Sequence, residues 1–445
     1  MIRQLITPIY MLIQAIFIFV QYKLVNVALG SNGLNLLVLV LSLAIPYQLL
    51  SLGLGGYVYS LGNTSIGCKV NLAALKLIFV SSLCGLPYIY IFAHLFWKMS
   101  ILNAFIACLF LLTSNLLNFI FFCYDAGGKS YLRSVIGIGF TLLVLIFSYT
   151  VGNVYEIISP VFWIFINAVL TLIVTYYFLL ASKNMFETHQ DTISMHNLFI
   201  LGIRFNIMTA PSLSFDFLIK IVIVNIAPST LIHFDLLNKI LQQGSSLIAM
   251  TNQALAQKVK FASSNSIALF SLSSGVIFLM FSSCTLIILP LIYRFIGIKI
   301  TNDSNLLFFA LMFGWLCNTI SATSYYNNIF KDDIKRNIYG NISIMISLLV
   351  IGVIFMRTNV HIYLAWPIAL FFGAVVTVSI KNWKIYFLES GLVSLGFASL
   401  VVILMFLLVS INSQYFIAGT AMFSTLLFIY TIYILKKGGG KKYAM

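Results

Sequence analysis

The sequence predicts an all-α polytopic membrane protein built as two six-helix lobes, related by a pseudo-twofold axis along the membrane normal, plus a C-terminal helix pair. This makes fourteen spans, with twelve as the alternative. Three observations predict that class. Of 445 residues, 61% are hydrophobic and only 8% charged, and the mean hydropathy is +1.05, whereas a soluble domain carries roughly 25% charged residues. Apolar runs long enough to cross a bilayer as helices, about 20 residues each, recur along the whole chain. The basic residues collect on alternate connections between those runs, as the positive-inside rule requires.

The runs fall at approximately 5–29, 36–60, 74–95, 101–124, 133–151, 160–181, 203–227, 229–255, 265–293, 305–329, 338–357, 361–380, 388–411 and 414–435. They show no sustained inside/outside alternation and are twice the roughly 10 residues of a membrane-barrel strand, so helices are expected throughout. The first run is too long for a signal-peptide core and has no small-residue cleavage site after it, so it reads as a retained span. With the N-terminus in the cytoplasm, the inside segments hold eighteen Lys or Arg and the outside segments four, Lys98, Arg294, Lys299 and Arg357. Lys23, Lys220 and Lys239 fall within spans. That asymmetry places both termini in the cytoplasm and requires an even number of spans. The net charge of +15 therefore records orientation against a bilayer, and no nucleic-acid partner is expected.

The longest polar connection, SKNMFETHQDTISMHN from Ser182 to Asn197, separates six runs from eight. The expected domains are an N-terminal lobe at 1–182, a cytoplasmic loop at 183–197, a second lobe at 198–384, and a helix pair with a basic tail at 385–445. KLVNVAL at Lys23–Leu29 echoes KIVIVNIA at Lys220–Ala227. Copies of six spans each run parallel.

An ionisable group inside a span costs at least about 2.5–3.5 kcal/mol, so it needs a partner or a wet cavity. The seventh run carries Asp216 and Lys220 and the eighth carries Asp235 and Lys239, each pair at i,i+4 on one helix face. Across a short turn at Pro228, Lys220 and Asp235 lie roughly 10 Å below the outer end, and Asp216 and Lys239 roughly 15 Å below it. Opposite charges thus match in depth. Either two buried ion pairs merely hold the hairpin together, or the quartet lines a substrate path. Lys23, beside Gln14 and Gln21 on the first run, has no acid within its own helix. It points to a cavity that receives an anion, or else it snorkels to the outer headgroups.

Arg204 and Arg133 open the seventh and fifth runs at the inner face and are either lipid anchors or phosphate contacts, for which the planar guanidinium is suited. His233 reads as a structural histidine. Pro46, Pro87, Pro211 and Pro367 interrupt spans and should kink them. GLGGY at Gly53–Tyr57 fits close helix contact at the inner end of the second span. The six cysteines lie in or beside apolar runs with no C-x-x-C pair and read as small buried hydrophobes. There is no phosphate-binding loop, no zinc-protease motif and no Ser/His/Asp set in one region, so neither cofactor, metal nor catalysis is expected.

VNVALGSNGLNLLVLVLSL, LLSLGLGGYVYSLGN, FCYDAGGKSYLRSVIG and SFDFLIKIVIVNIAPS, taken with the span layout, resemble the bacterial O-antigen flippases. These belong to the polysaccharide transporter family of the multidrug/oligosaccharidyl-lipid/polysaccharide exporter superfamily. The motifs cover some sixty residues and the topology nearly the whole chain. The family usually has twelve spans, so the last pair departs from it. The resemblance implies an inner-membrane translocator that turns undecaprenyl-pyrophosphate-linked O-antigen repeat units from the cytoplasmic to the periplasmic leaflet, coupled to an ion gradient, with O-antigen polymerase and chain-length regulator as partners. Asp216 matches a position where such proteins often carry a charge. On this expectation Lys23, Lys220, Lys239, Gln14, Gln21 and Arg204 contact the substrate, and Asp216 or Asp235 takes a proton on the return stroke. The alternatives are a membrane-embedded polymerase or lipid-linked sugar transferase, and a drug/ion antiporter of the same superfamily.

Overall fold

The computed structural model describes residues 2–61, 65–96, 101–126, 131, 133–139, 142, 169, 173, 194–258, 264–300, 302–330, 334–358 and 362–379. The thirteenth and fourteenth runs, nearly all of the sixth and about half of the fifth lie outside these residues. Every element among the described residues is helical. The chain gathers into two compact units, Met1–Pro228 and Ser229–Met445. That boundary falls one helix downstream of the loop at 183–197.

In the first unit, α1 (Ile2–Tyr47) is broken at Gly30, whose φ of 65° and ψ of −166° are not helical. The first run therefore ends where its polar turn predicts. The second run is interrupted in a way its composition hides. A 3-10 turn at Gln48–Ser51 leads through Leu52 (φ 54°) and Gly53 (φ 67°) into α2 (Leu54–Leu61). The cause is a crossing with α5 (Met195–Ile226). A Cβ on Gly53 would lie 2.3 Å from the Gly202 carbonyl oxygen and 2.4 Å from the Asn206 nitrogen, so only glycine admits the approach. A Cβ on Gly202 would likewise meet the Leu52 oxygen at 2.5 Å. Asn206 Nδ2 donates at 3.0 Å to the Leu49 oxygen, which also accepts the Leu52 N–H at 3.0 Å, so α5 is tied directly to the 3-10 turn. The packing role expected of GLGGY holds: Gly55 abuts Phe122 and Gly56 abuts Phe205.

Helices α3 (Ser65–Phe96) and α4 (Ile101–Ala126) close this unit around Leu54, Val58, Ala74, Ile78, Leu117, Ile120 and Cys123. With lipid as solvent, apolar contact gives little association by itself, and interhelical hydrogen bonds and close packing add to it. Here the Tyr47 hydroxyl donates to the Ser82 oxygen at 2.8 Å, and Asn115 Nδ2 donates to Ser82 Oγ at 2.8 Å.

The second unit begins within α6 (Pro228–Lys258) and continues through α7 (Ser264–Ile296), α8 (Asn302–Phe330), α9 (Ile334–Thr358), a 3-10 turn at Ile362–Leu364 and α10 (Ala365–Ser379). Where α9 and α10 cross, a Cβ on Gly340 would lie 2.0 Å from Thr377 Oγ1 and one on Gly373 2.1 Å from Ile344 Cγ1. Near the start of α9, Asn328 Nδ2 donates to Asn337 Oδ1 at 3.0 Å, and Asn337 Nδ2 to the Tyr325 oxygen at 3.0 Å.

Proline placement needs one correction. Pro367 opens a helix instead of interrupting one: it is the third residue of α10, where a missing N–H has no intrahelical acceptor to lose. Pro87, Pro211 and Pro290 do lie inside α3, α5 and α7.

Five described helices have windows long and apolar enough to cross a membrane, Asn71–Ile91, Ala107–Asp125, Ser273–Ile296, Ser304–Tyr325 and Lys335–Arg357. Outward faces carry bare aliphatic side chains, Val80, Leu83 and Ile91 on α3 and Ile346, Leu349, Val350, Val353 and Ile354 on α9. Such surfaces are stable only against acyl chains. The chain is a multi-pass membrane protein.

Candidate functional site

The charged residues expected within spans lie on α1, α5 and α6. On α6, Asp235 is fully buried, and its Oδ2 accepts a 2.8 Å salt bridge from Lys239 Nζ. The i,i+4 spacing with the acid nearer the N-terminus lets the two side chains meet along the helix surface. The Lys239 side chain keeps 19% of its surface exposed, so the pair is buried at its acidic end and open at its basic end. Separating the two would leave a carboxylate in a low-dielectric interior, a cost of about 3–5 kcal/mol.

On α5, Lys220 is buried with 3% exposure. Asp216 lies one turn earlier on the same helix, with its side chain outside the described residues. On α1, Lys23 is half-buried and Gln21 is buried at 4% exposure, about two turns before the break at Gly30. Gln14 stands on the same helix with its side chain outside the described residues. Arg204, two residues from Gly202 at the crossing, is exposed.

Arg133 and His233 resolve differently. Arg133 forms an ion pair with Asp125 at the end of α4, and its guanidinium lies over the Phe121 ring, 5.5 Å from the centroid. Its fork is engaged within the first unit, which favours a structural role. His233 stacks on Tyr293 with 5.4 Å between centroids, and its Nδ1 lies 3.1 Å from the Tyr293 hydroxyl and 3.2 Å from Ser304 Oγ. It ties α6, α7 and α8 together, the structural role expected of it.

Further polar residues of α6 carry no signal in the composition of their run. Trp315 Nε1 donates to Asn238 Oδ1 at 2.8 Å, and Thr319 Oγ1, whose own O–H goes to the Trp315 oxygen, accepts from Ser245 Oγ at 2.7 Å, two rungs that join α8 to α6. Their pairing depends on the register between two helices, which neither run shows by itself. The rungs leave another polar face of α6, carrying Lys239, Gln242 and Ser246, partly exposed. Among the described residues no three His, Cys, Asp or Glu side chains come together to hold a metal ion.

No family model matches this chain, and no curated protein matches it. Solved structures do. The lipid II flippase MurJ in an inward closed conformation aligns with a TM-score of 0.67 at 11% identity, over 98% of this chain and 99% of that one. An inward-facing multidrug resistance MATE family transporter of the MOP superfamily aligns at 0.60 and 14% identity, over 87% and 95%. A MOP superfamily transporter from Pyrococcus furiosus, described by a reversed polarity of its binding pocket, aligns at 0.59 and 11%, over 89% and 96%. At these identities the likeness is one of fold alone: this all-helical chain shares the fold of those transporters.

Proposed function

From the fold that this chain shares with the lipid II flippase MurJ and the MATE transporters, we propose that it is a translocator, not an enzyme. Its cargo is an undecaprenyl-pyrophosphate-linked O-antigen repeat unit, carried from the cytoplasmic to the periplasmic leaflet of a bacterial inner membrane. The observation that carries this reading is the half-open ion pair of α6, Asp235 buried and Lys239 partly exposed, in a helix of membrane-spanning length. A lipid-linked pyrophosphate brings negative charge to membrane depth, and its passage requires fixed cations in a wet cavity while the lipid tail stays in the bilayer.

In this reading Lys23, Lys220 and Lys239, with Gln14, Gln21 and Arg204, receive the pyrophosphate and first sugar. The lobes at 1–182 and 198–384 alternate access. Asp216 or Asp235 takes a proton on the return stroke, after the cargo has left. Neutralising Asp235 then loosens its hold on Lys239 and resets the site. The likeness to MATE transporters supports a second reading, drug efflux against an ion gradient.

Complementation of a flippase-deleted strain separates the two. Wild-type chain restores surface O-antigen without changing drug sensitivity, and Lys23→Ala, Lys220→Ala and Asp216→Asn reduce that restoration at unchanged protein level. Full restoration by all three variants removes those residues from the mechanism. Restored drug resistance without surface glycan overturns the flippase reading.

A further inference from the structure

Beyond Asp235 and Lys239, one face of α6 carries polar groups that the pyrophosphate site does not use. Asp235, Lys239, Gln242 and Ser246 are spaced at +4, +7 and +11 from the first, which at 3.6 residues per turn puts all four in one stripe. The stripe runs about 17 Å, roughly half the height of a bilayer's hydrocarbon core. Within it Gln242 is exposed and Lys239 and Ser246 are partly exposed. The opposite face, Leu237, Ile240, Leu241 and Ile248, is buried, and Gly244 sits against Phe281 of α7.

The outward face of α9, in the same unit, is aliphatic from Ile346 to Ile354, as a lipid-facing helix must be. An amide in acyl chains loses its water partners and finds none to replace them. The exposed stripe of α6 therefore borders water at membrane depth. Lys239 belongs to the pyrophosphate site, and beyond it the exposed and partly exposed groups of the stripe are the amide of Gln242 and the hydroxyl of Ser246. Each amide side chain donates two hydrogen bonds and accepts through its oxygen, and a hydroxyl does both, which is the complement of a polyhydroxylated neutral ligand and not of an anion. Gln243, at the edge of the stripe, adds a buried Oε1 that accepts no hydrogen bond among the described residues.

We infer that this stripe is the rail along which the uncharged sugars of the cargo are bound, so that glycan recognition lies on α6 through Gln242 and Ser246. This rests on the translocator reading and names a recognition element within it.

The test uses full-length protein in lipid nanodiscs and two probes, undecaprenyl pyrophosphate and the same lipid pyrophosphate bearing a disaccharide. The wild-type chain is expected to bind the glycosylated probe about tenfold more tightly, the worth of one or two hydrogen bonds. Gln242→Leu with Ser246→Ala is expected to bring that ratio close to one. Gln242 is exposed, so its replacement leaves the core packing alone, and an unchanged melting temperature verifies it. A ratio retained in the double variant overturns the rail, as does a wild-type chain that binds both probes equally. A wild-type chain that binds neither probe overturns the translocator reading and the rail with it.

Discussion

Asp235 is the residue on which the electrostatics of α6 turns. With its carboxylate fully buried, removal of Lys239 should cost more than removal of both charges. Lys239→Ala is expected to lower stability in detergent by about 3–5 kcal/mol. Asp235→Asn with Lys239→Met should recover most of that loss while abolishing translocation. Thermal unfolding followed by fluorescence-detected size exclusion gives both numbers. A double variant no more stable than the single one would show that the pair is not what holds the charge in place. Trp315→Phe removes one interhelical donor to Asn238 and should cost about 0.6–1.7 kcal/mol, the range measured for such bonds in membranes.

Helix crossings make the next scale, and glycines decide them. Gly53→Ala sets a methyl against backbone atoms of α5 that cannot turn aside, and Gly202→Ala does the same from the other side. Either should abolish accumulation of folded protein. Around Gly352, within α9, no atom of the described residues beyond the adjoining backbone of its own helix lies within 4 Å of the place a Cβ would take, so Gly352→Ala should instead stabilise, by up to about 1 kcal/mol from helix propensity. Expression and melting temperature of the three variants measure the contrast. The same crossings explain what the sequence makes legible. Runs at 101–124 and 305–329 are helices at Ile101–Ala126 and Asn302–Phe330, because hydrocarbon thickness alone sets their length. The break at Gln48–Gly53 is hidden, because composition does not record where another helix needs to pass. In the site, the Asp235–Lys239 pair is readable from spacing within one helix, whereas the Asn238–Trp315 and Ser245–Thr319 rungs depend on the register between two helices.

At the scale of the molecule, the inside excess of Lys and Arg predicts that both termini face the cytoplasm. Alkaline phosphatase fused after Lys436 should be inactive and green fluorescent protein at the same place bright. The reverse pattern would mean an odd number of spans. On the proposed function, the chain turns a charged headgroup over while its tail stays in lipid. The direct measurement is transbilayer movement of a fluorescent undecaprenyl-pyrophosphate-linked oligosaccharide in proteoliposomes. Dithionite added outside should bleach nearly all the probe in vesicles containing wild-type chain and about half in protein-free vesicles, with Lys23→Ala and Lys220→Ala between the two. Bleaching that stops at half with the wild-type chain, with and without an imposed ion gradient, would contradict the account.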